Sequence, residues 1–232
     1  MMYLGKNAIG LNRTTALFPV RYSVRARESF REVTFENTSM TFDFDGMTLA
    51  SGQSALGTFE YTNLKNITIK NLHCVAGTEF EAFLRGGTGT NAGQLETITF
   101  INCDMNGLNY NHFARDNANL TAVYGELDLS NARYITYMFL NDTSLTHIEL
   151  KKNSVKLNLG LNSSPFDDET LVNISNALDG TVTGCTLSLL AAKKTRCGTL
   201  MGTVNDGEFI IDENGATSLQ SFITNIKGWT LS

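Results

Sequence analysis

The 232-residue chain has few of the residues that usually mark a metal site, a cofactor or a long helix. It contains two prolines, three histidines, four cysteines and one tryptophan, and charged residues make up only 18 % of it. Cys74, Cys103, Cys185 and Cys197 are too far apart for the close C-x-x-C pairs of a zinc site, and three histidines could do little to complete one. We therefore expect core thiols, no metal and no cofactor.

Excess positive charge and long apolar runs are absent as well. The formal net charge of -5 gives no attraction to a phosphate backbone, so we expect no nucleic-acid partner. No stretch of about 20 apolar residues and no signal-peptide pattern is found, which predicts neither membrane insertion nor a secretion route. A basic cluster of Arg21, Arg25, Arg27 and Arg31 is interpreted as a solvated arm or a contact to a partner protein.

What the chain does contain is a recurring spacing of apolar residues. From Leu145 to Val155 they occupy positions 1, 4, 6 and 11 of an eleven-residue frame, with Asn153 at position 9. The frame also fits LETITFINCDM from residue 95, LKNITIKNLHC from residue 64 and FREVTFENTSM from residue 30. A further copy begins at Leu120 and shifts by a short insertion to Leu127. Repetition at this period predicts a stack of similar structural units.

Each unit is predicted to contain one strand and one aromatic turn. Within LTHIEL, alternation points Ile148 and Leu150 inward and leaves Thr146, His147 and Glu149 at the surface. An aromatic residue followed by a polar turn recurs at Phe83, Phe113 and Phe139. Because a single unit cannot bury its own apolar edge, stacking the units in parallel makes one continuous core. The expected fold is mainly β with some α, a parallel β solenoid.

Position 9 of the frame is assigned a structural role. An inward Asn153 could hydrogen-bond backbone groups in the turn that closes the strand, and Cys103 could do the same more weakly. We therefore expect Cys103 to be a core thiol and no nucleophile.

These repeats resemble a known family. The pattern LxxIxLxxNxV with the stretch ITYMFLNDTSLTHIEL is similar to the leucine-rich repeats of the BspA-like class, specifically over residues 120–160 and only loosely over 30–119. ETLVNISNAL and the terminal KGWTL resemble the endings of BspA-like proteins encoded by phages and prophages of gut bacteria. The opening MYLGKNAIGLN resembles a short segment of phage tail and fibre proteins, although an edge strand and turn would explain it as well. The resemblance implies a leucine-rich-repeat-like solenoid carried on a virion.

The C-terminal third changes period. Ser164 and Pro165 followed by Asp167, Asp168 and Glu169 predict a helix start whose acidic first turn complements the helix dipole. The strand candidates CTLSLL, TLMGTV and EFIID follow, and SLQSFITNIKGWTLS predicts a short helix running into a last strand. We therefore divide the chain into an attachment segment (1–28), a repeat solenoid (29–162) and a small α/β capping region (163–232).

Catalytic residues are not predicted. Asp43 with Asp45, and Glu126 with Asp128, could each share one face of a strand, as in a polysaccharide depolymerase. Such pairs are ordinary for strands with one wet face, and no G-x-S-x-G elbow accompanies the histidines. The glycine-rich loop at residues 86–93 lacks the Gly-Lys-Ser/Thr ending of a phosphate loop and is expected to project from the solenoid.

Binding is the function that the sequence favours. Tyrosines that could stack on sugar rings or a partner protein if exposed, and that otherwise pack in the core, are Tyr110, Tyr124 and Tyr134. The outward residues Thr146, His147 and Glu149 complete the predicted binding surface, and the predicted attachment residues are Tyr3, Leu4, Ile9 and Leu11.

The expected function is that of a non-enzymatic phage virion structural protein of a tail, fibre or head appendage, folded in the host cytoplasm. The attachment segment would join other virion proteins, and the solenoid could touch a host glycan or surface protein. Virion fibres are commonly symmetric, so a homo-oligomer is expected. The alternatives are a bacterial leucine-rich-repeat surface adhesion or interaction module, and a polysaccharide depolymerase.

Overall fold

The computed structural model describes residues 30–35, 37–44, 46–49, 57–75, 77–87 and 93–232. The attachment residues Tyr3, Leu4, Ile9 and Leu11 lie outside these ranges, as do Asp45 and positions 88–92 of the glycine-rich loop.

Short strands dominate the described part of the chain, and the helices come late. In chain order the elements are β1 (Ser39–Asp43), β2 (Thr48–Leu49), β3 (Asn66–Lys70), β4 (His73–Cys74), β5 (Thr97–Ile101), β6 (Ala122–Leu127), β7 (His147–Leu150), β8 (Leu159–Leu161), α1 (Asp168–Ala177), β9 (Thr186–Leu189), α2 (Ala191–Thr199), β10 (Met201–Asn205), β11 (Glu208–Ile211), β12 (Thr217–Ser218), α3 (Leu219–Ser221), which continues as a π-helical turn (Phe222–Ile226), and β13 (Thr230–Leu231).

Five of these strands stack as the predicted parallel β solenoid. The sheet order is β1-β3-β5-β6-β7, and every neighbouring pair is parallel. One inward row runs through the sheet in register: Met40, Ile67, Ile98, Val123 and Ile148. Successive rungs, each being one turn of the solenoid, are therefore 25 to 31 residues long, and each rung covers the apolar edge of the next.

The aromatic markers form a second row inside the core. Phe30, Phe59, Phe83, Phe113 and Phe139 are all buried, one from each rung. Their ring centroids follow one another at 5.4, 5.5, 6.0 and 6.2 Å. Contacts at this distance add to the burial of apolar area, so the phenylalanines stabilise the stacking of the rungs.

The match of FREVTFENTSM to the strand frame is wrong in register. The strand of this first rung is β1, which begins only at Ser39. Phe30 and Glu32 instead donate their backbone N–H groups to the carbonyls of Thr58 and Glu60, at 2.7 and 2.9 Å, in the aromatic turn of the next rung. The apolar spacing misled because the aromatic turn is also built from buried residues a few positions apart.

A hydrogen-bonded ladder joins the first three rungs at the ends of their strands. Asn71 and Asn102 have left-handed backbone φ angles of 55° and 52°, which asparagine tolerates better than most residues. The Nδ2 of Asn102 donates to Oδ1 of Asn71 at 2.7 Å, and the Nδ2 of Asn71 donates to Oδ1 of Asp43 at 2.8 Å. We call Asp43, Asn71 and Asn102 the asparagine ladder. Asn71 and Asn102 are thus at position 8 of the frame, and Asp43 is at the position equivalent to 7.

The prediction that Asn153 points into the core is wrong. Asn153 is exposed, has a φ of 53°, and accepts a hydrogen bond from Nζ of Lys227 at 2.7 Å. The asparagine is used for its left-handed backbone, which turns the chain outward after β7.

A charge ladder runs along the edge that carries the aromatic turns. Arg31 pairs with Glu60 at 3.1 Å, and Arg85 lies 3.5 Å from the same carboxylate. The alternation of arginine and carboxylate continues at Asp116, whose carboxylate lies 3.7 Å from Arg85 and 3.0 Å from Arg115. Arg31 of the basic cluster therefore takes part in rung stacking, while Arg21, Arg25 and Arg27 lie outside the described residues.

Helix α1 closes the far end of the solenoid, as the capping prediction requires. Asp167 is its N-cap, and the predicted acidic first turn is present at Asp168 and Glu169. Asn173 accepts a hydrogen bond from the backbone N–H of Leu150 at 2.8 Å and donates to its carbonyl at 3.3 Å. These bonds satisfy backbone groups at the last strand of the sheet, β7, which reduces the tendency of an open sheet edge to pair with other chains.

The remaining cap contains two small sheets. β10 pairs antiparallel with β11 and β12, while β9 lies parallel between β8 and β13. The predicted boundary at residue 162 falls between β8 and β9, which belong to one sheet. The strand candidates of the cap are confirmed, and α2 was not predicted.

Candidate functional site

Three of the six predicted binding residues come together on the outer face of β6 and β7. The rings of Tyr124 and His147 lie 5.1 Å apart, and Nε2 of His147 is 3.2 Å from Oε1 of Glu149. Nδ1 of His147 is 3.3 Å from the hydroxyl of Thr170 on α1, so the helix fixes the imidazole from one side. Tyr124 is 44 % exposed. The cluster is an aromatic platform held by a polar network.

The cleft beside this platform arises from an interruption of strand pairing. Pairing between the β5 and β6 rungs stops at Thr99 and Tyr124 and resumes at Met105 and Leu127, so residues 100–104 lie opposite residues 125–126. The pairing of β6 with β7 shifts at the same place, between Val123 and Leu127. This irregularity is a β-bulge, a feature often found next to binding sites.

Gly125 lies at the centre of the interruption. Its φ is +94°, and a Cβ at this position would be 2.5 Å from the backbone oxygen of Phe100. Its N–H donates to Oε2 of Glu149 at 2.8 Å. Only glycine fits this conformation and this close approach, and the hydrogen bond to Glu149 joins the cleft to the aromatic platform.

The cleft has a volume of about 440 Å³ and a mixed lining. Phe100 and Met105 contribute apolar surface, and Lys151 reaches in from the next rung. The polar side chains that line it are Asn102, Asp104, Asn106, Glu126 and Asp128. Asn102 is the last member of the asparagine ladder, and its Oδ1 has no protein partner among the residues that the structure describes. The lining therefore contains more hydrogen-bond acceptors than apolar side chains.

Asp128 is held as a carboxylate in this cleft. It is buried, and burial raises its pKa, but hydrogen bonds from Lys151 Nζ at 2.7 Å and from Ser130 at 2.9 Å outweigh burial and hold the pKa below its usual range. An ionised, paired carboxylate accepts hydrogen bonds and cannot donate a proton near neutral pH. Glu126, its partner in the depolymerase hypothesis, is exposed.

The thiols of Cys74 and Cys103, and the contact between His73 and Asp104, border the cleft. Burial raises the pKa of the Cys74 thiol to about 12 and also raises that of Cys103, so both remain protonated and poorly nucleophilic. The Sγ of Cys103 donates to backbone oxygens at 3.4 Å, in line with the structural role expected for it. Nδ1 of His73 lies 2.7 Å from Asp104.

The other predicted binding residues have different places. The prediction of Tyr110 as a surface residue is wrong, because its side chain is fully buried. Its hydroxyl donates a hydrogen bond to the Met105 carbonyl at 2.6 Å and accepts one from the Gly107 N–H at 3.0 Å. Burial raises the pKa of this hydroxyl. Tyr134 is 53 % exposed but lies on the edge that carries the aromatic turns. Thr146 is exposed and donates to the Thr121 carbonyl at 3.2 Å.

The pair of Asp43 with Asp45 and the glycine-rich loop at residues 86–93 are each only partly within the described residues. Asp43 accepts a hydrogen bond within the asparagine ladder, while its proposed partner Asp45 lies outside the described residues. At the glycine-rich loop, a Cβ on Gly86 would be 2.3 Å from the Asp116 carbonyl, and one on Gly93 would be 3.1 Å from it. The described ends of the loop thus pack tightly against the neighbouring rung.

The cleft itself was not predicted, although the sequence carried a signal for it. The shift of the frame between Leu120 and Leu127 marks the bulge. Asn102, Asp104, Asn106 and Lys151 follow the strands and cannot be assigned to one cavity until the rungs are stacked in register.

Comparison with known proteins adds no relative: no family model, curated protein or solved structure matches the chain. Within the described ranges, no group of three or more histidine, cysteine, aspartate or glutamate side chains is arranged to hold a metal ion. None of the helices in those ranges is long and apolar enough to span a bilayer. The functional argument rests on the fold and the cleft.

Proposed function

We propose that this chain is a non-enzymatic structural protein of a phage virion appendage that binds host-surface carbohydrate in the cleft beside Tyr124. The virion assignment is supported by three resemblances. Residues 120–160 resemble BspA-like repeats, ETLVNISNAL and KGWTL resemble the endings of phage-encoded BspA-like proteins, and MYLGKNAIGLN resembles a segment of phage tail and fibre proteins. Residues 1–28 would join other virion proteins, and the solenoid would be displayed outward, in a homo-oligomer.

The observation that carries carbohydrate binding is the combination of cleft and platform. A volume of about 440 Å³ lies within the roughly 300–1,000 Å³ typical of small-ligand sites. The carboxylates and Asn102 can accept hydrogen bonds from sugar hydroxyls, and the C–H face of a sugar ring can pack on the exposed ring of Tyr124. The hydrogen bonds among His147, Glu149 and Gly125 hold the platform in place.

A panel of immobilised neutral, amino and acidic oligosaccharides tests this binding, with the purified full chain as analyte. We expect at least one sugar class to bind, and Tyr124→Ala to weaken that binding about three- to tenfold, since an aromatic contact is worth about 0.5–1.5 kcal/mol. Tyr134→Ala is the matched control, because it removes an equally exposed tyrosine from another edge. Equal losses for the two variants, or no binding to any sugar, would contradict the proposal.

The virion assignment has its own test. Mass spectrometry of particles purified from a host that carries the reading frame should detect the chain. Its presence on the cell surface and absence from particles would instead favour a bacterial adhesion module.

A depolymerase is the second candidate, because Glu126 and Asp128 do share the cleft. The pairing of Asp128 with Lys151 argues against it, because a carboxyl that is held ionised cannot serve as the general acid of the pair. Release of reducing ends from capsular polysaccharide by the purified protein, lost in Glu126→Gln, would establish the enzyme and refute the proposal.

A further inference from the structure

Asp142 is a carboxyl enclosed at the junction of the last solenoid rung and the cap. It is 0 % exposed and lies in the turn before β7. Its Oδ1 accepts the backbone N–H of Asn117 from the preceding rung at 2.8 Å, and its main-chain oxygen accepts the hydroxyl of Ser164 from the cap at 3.1 Å. Its other carboxyl oxygen, Oδ2, is buried and has no partner among the described residues. This residue therefore joins two rungs and the cap.

Asn117 occupies the equivalent position one rung earlier, and we call these two stacked positions a column. Asn117 precedes Asp142 by 25 residues, the length of that rung, and is also buried. Its Nδ2 donates to the carbonyls of Leu84, at 2.9 Å, and Ala114, at 2.6 Å. The column thus contains a neutral side chain with an N–H donor. A carboxylate can only accept hydrogen bonds, whereas a protonated carboxyl has one O–H donor, so the acid form of Asp142 is the closer equivalent.

Among the described residues, no cation is paired with the Asp142 carboxyl. Asp116 is the charged group that acts on Asp142, and it disfavours ionisation. Arg85 and Arg115, which approach from the same side, are paired with Asp116. On the cap side, the contacting residue is Ser164, and the nearby carboxylate of Asp167 is engaged by the N–H of Thr170. An isolated buried carboxylate costs several kcal/mol, so the proton is retained instead.

We infer that Asp142 is a proton-dependent lock, which keeps its turn packed between the preceding rung and the cap while the carboxyl is protonated and loosens that turn when the carboxyl ionises. Burial, followed by the weaker repulsion of Asp116, raises the pKa of Asp142 well above its ordinary range despite the N–H of Asn117. The folded protein then binds one proton more than the unfolded chain between the two pKa values. This stabilisation is complete below about pH 4, where both states are protonated, and is lost as the pH rises through the folded pKa.

The test compares the full-length protein with Asp142→Asn by denaturant unfolding at a series of pH values from 4 to 9. The asparagine restores the neutral amide of the column. The folding constant of the wild type divided by that of the variant should fall about tenfold per pH unit until the folded pKa is reached. Asp128→Asn, measured from pH 7 down to pH 2, is the control of opposite sign. The pKa of Asp128 is lowered, so its ratio should stay constant above about pH 5 and fall as the pH drops below about 4. A wild-type-to-Asp142→Asn ratio independent of pH would overturn the inference.

Two further measurements cover the case in which the variant does not fold and locate the effect. Carbon NMR of the wild-type carboxyl should show Asp142 titrating well above the pH range of an ordinary aspartate, whereas titration near pH 4 would refute the lock. Limited proteolysis above the pH at which Asp142 titrates should cut the junction at residues 162–167 faster in the wild type than in Asp142→Asn, with equal rates below that pH. Equal rates at both pH values would place any pH dependence elsewhere.

Discussion

At the scale of single residues, the cleft depends on the backbone of Gly125. The left-handed φ and the 2.5 Å approach of a hypothetical Cβ to the Phe100 oxygen are two separate obstacles to any side chain. The hydrogen bond from its N–H to Glu149 also ties the bulge to the aromatic platform. A change here should therefore affect both stability and binding.

We predict that Gly125→Ala lowers the free energy of unfolding by about 1–3 kcal/mol, the usual cost of backbone strain and a close contact. It should also weaken sugar binding, because the bulge must move away from Phe100. Urea unfolding and the oligosaccharide panel measure the two effects. Gly160→Ala in β8 is the control, since no heavy atom lies within 4 Å of its Cβ position and its φ is not left-handed. A loss in Gly160→Ala as large as that in Gly125→Ala would show that the bulge is not special.

Single-residue exposure was the least predictable property. Tyr110 and Tyr124 received the same interpretation from the sequence, yet one is fully buried and the other is 44 % exposed. Strand alternation placed His147 and Glu149 correctly because β7 has a buried face and a polar face. Tyr110 lies in a turn, where no period of two or 3.6 residues tells inside from outside.

At the scale of elements, the asparagine ladder joins successive rungs at the ends of their strands. Asn71 is its middle member and takes part in hydrogen bonds to both neighbours, Asp43 and Asn102. Removing its side chain breaks both links at once. The left-handed φ of 55° adds a backbone cost for most replacements.

We expect Asn71→Ala to lower the free energy of unfolding by about 2 kcal/mol, from two partly exposed hydrogen bonds and the left-handed backbone. Asn71→Gly loses the same hydrogen bonds but accepts the backbone conformation, so its loss should be smaller. Equilibrium unfolding of both variants separates the two terms. If alanine and glycine cost the same, the backbone contributes nothing and the explanation of the asparagine by its φ fails.

Elements with a strong apolar period were predictable, and those without one were not. The strands of the stack and helix α1 each present a buried side at regular spacing, which the sequence shows directly. Helix α2 buries only Cys197, so it has no apolar stripe and was missed. In the first rung the strand was predicted at the wrong residues, because the aromatic turn there has an apolar spacing similar to that of a strand.

At the scale of the whole molecule, the cap covers the last rung of the solenoid. The buried core is continuous from Phe30 to Leu231. On the cap side, Asn173 of α1 occupies backbone groups of Leu150 in β7, and the Asp167 N–H donates to the Thr146 carbonyl at 3.1 Å. Loss of the cap would expose the last rung and the edge of β7, which favours aggregation.

A chain lacking residues 1–28 should therefore stay folded, with a melting temperature near that of the full chain, but should no longer join the virion. A chain lacking residues 163–232 is the matched deletion and should unfold or aggregate, because it removes α1 and the partners of β8. Circular dichroism melts and size-exclusion chromatography measure folding, and mass spectrometry of particles measures incorporation. Unfolding of the chain without residues 1–28 would show that this segment belongs to the solenoid, whereas a folded chain that still enters particles would assign attachment to another surface.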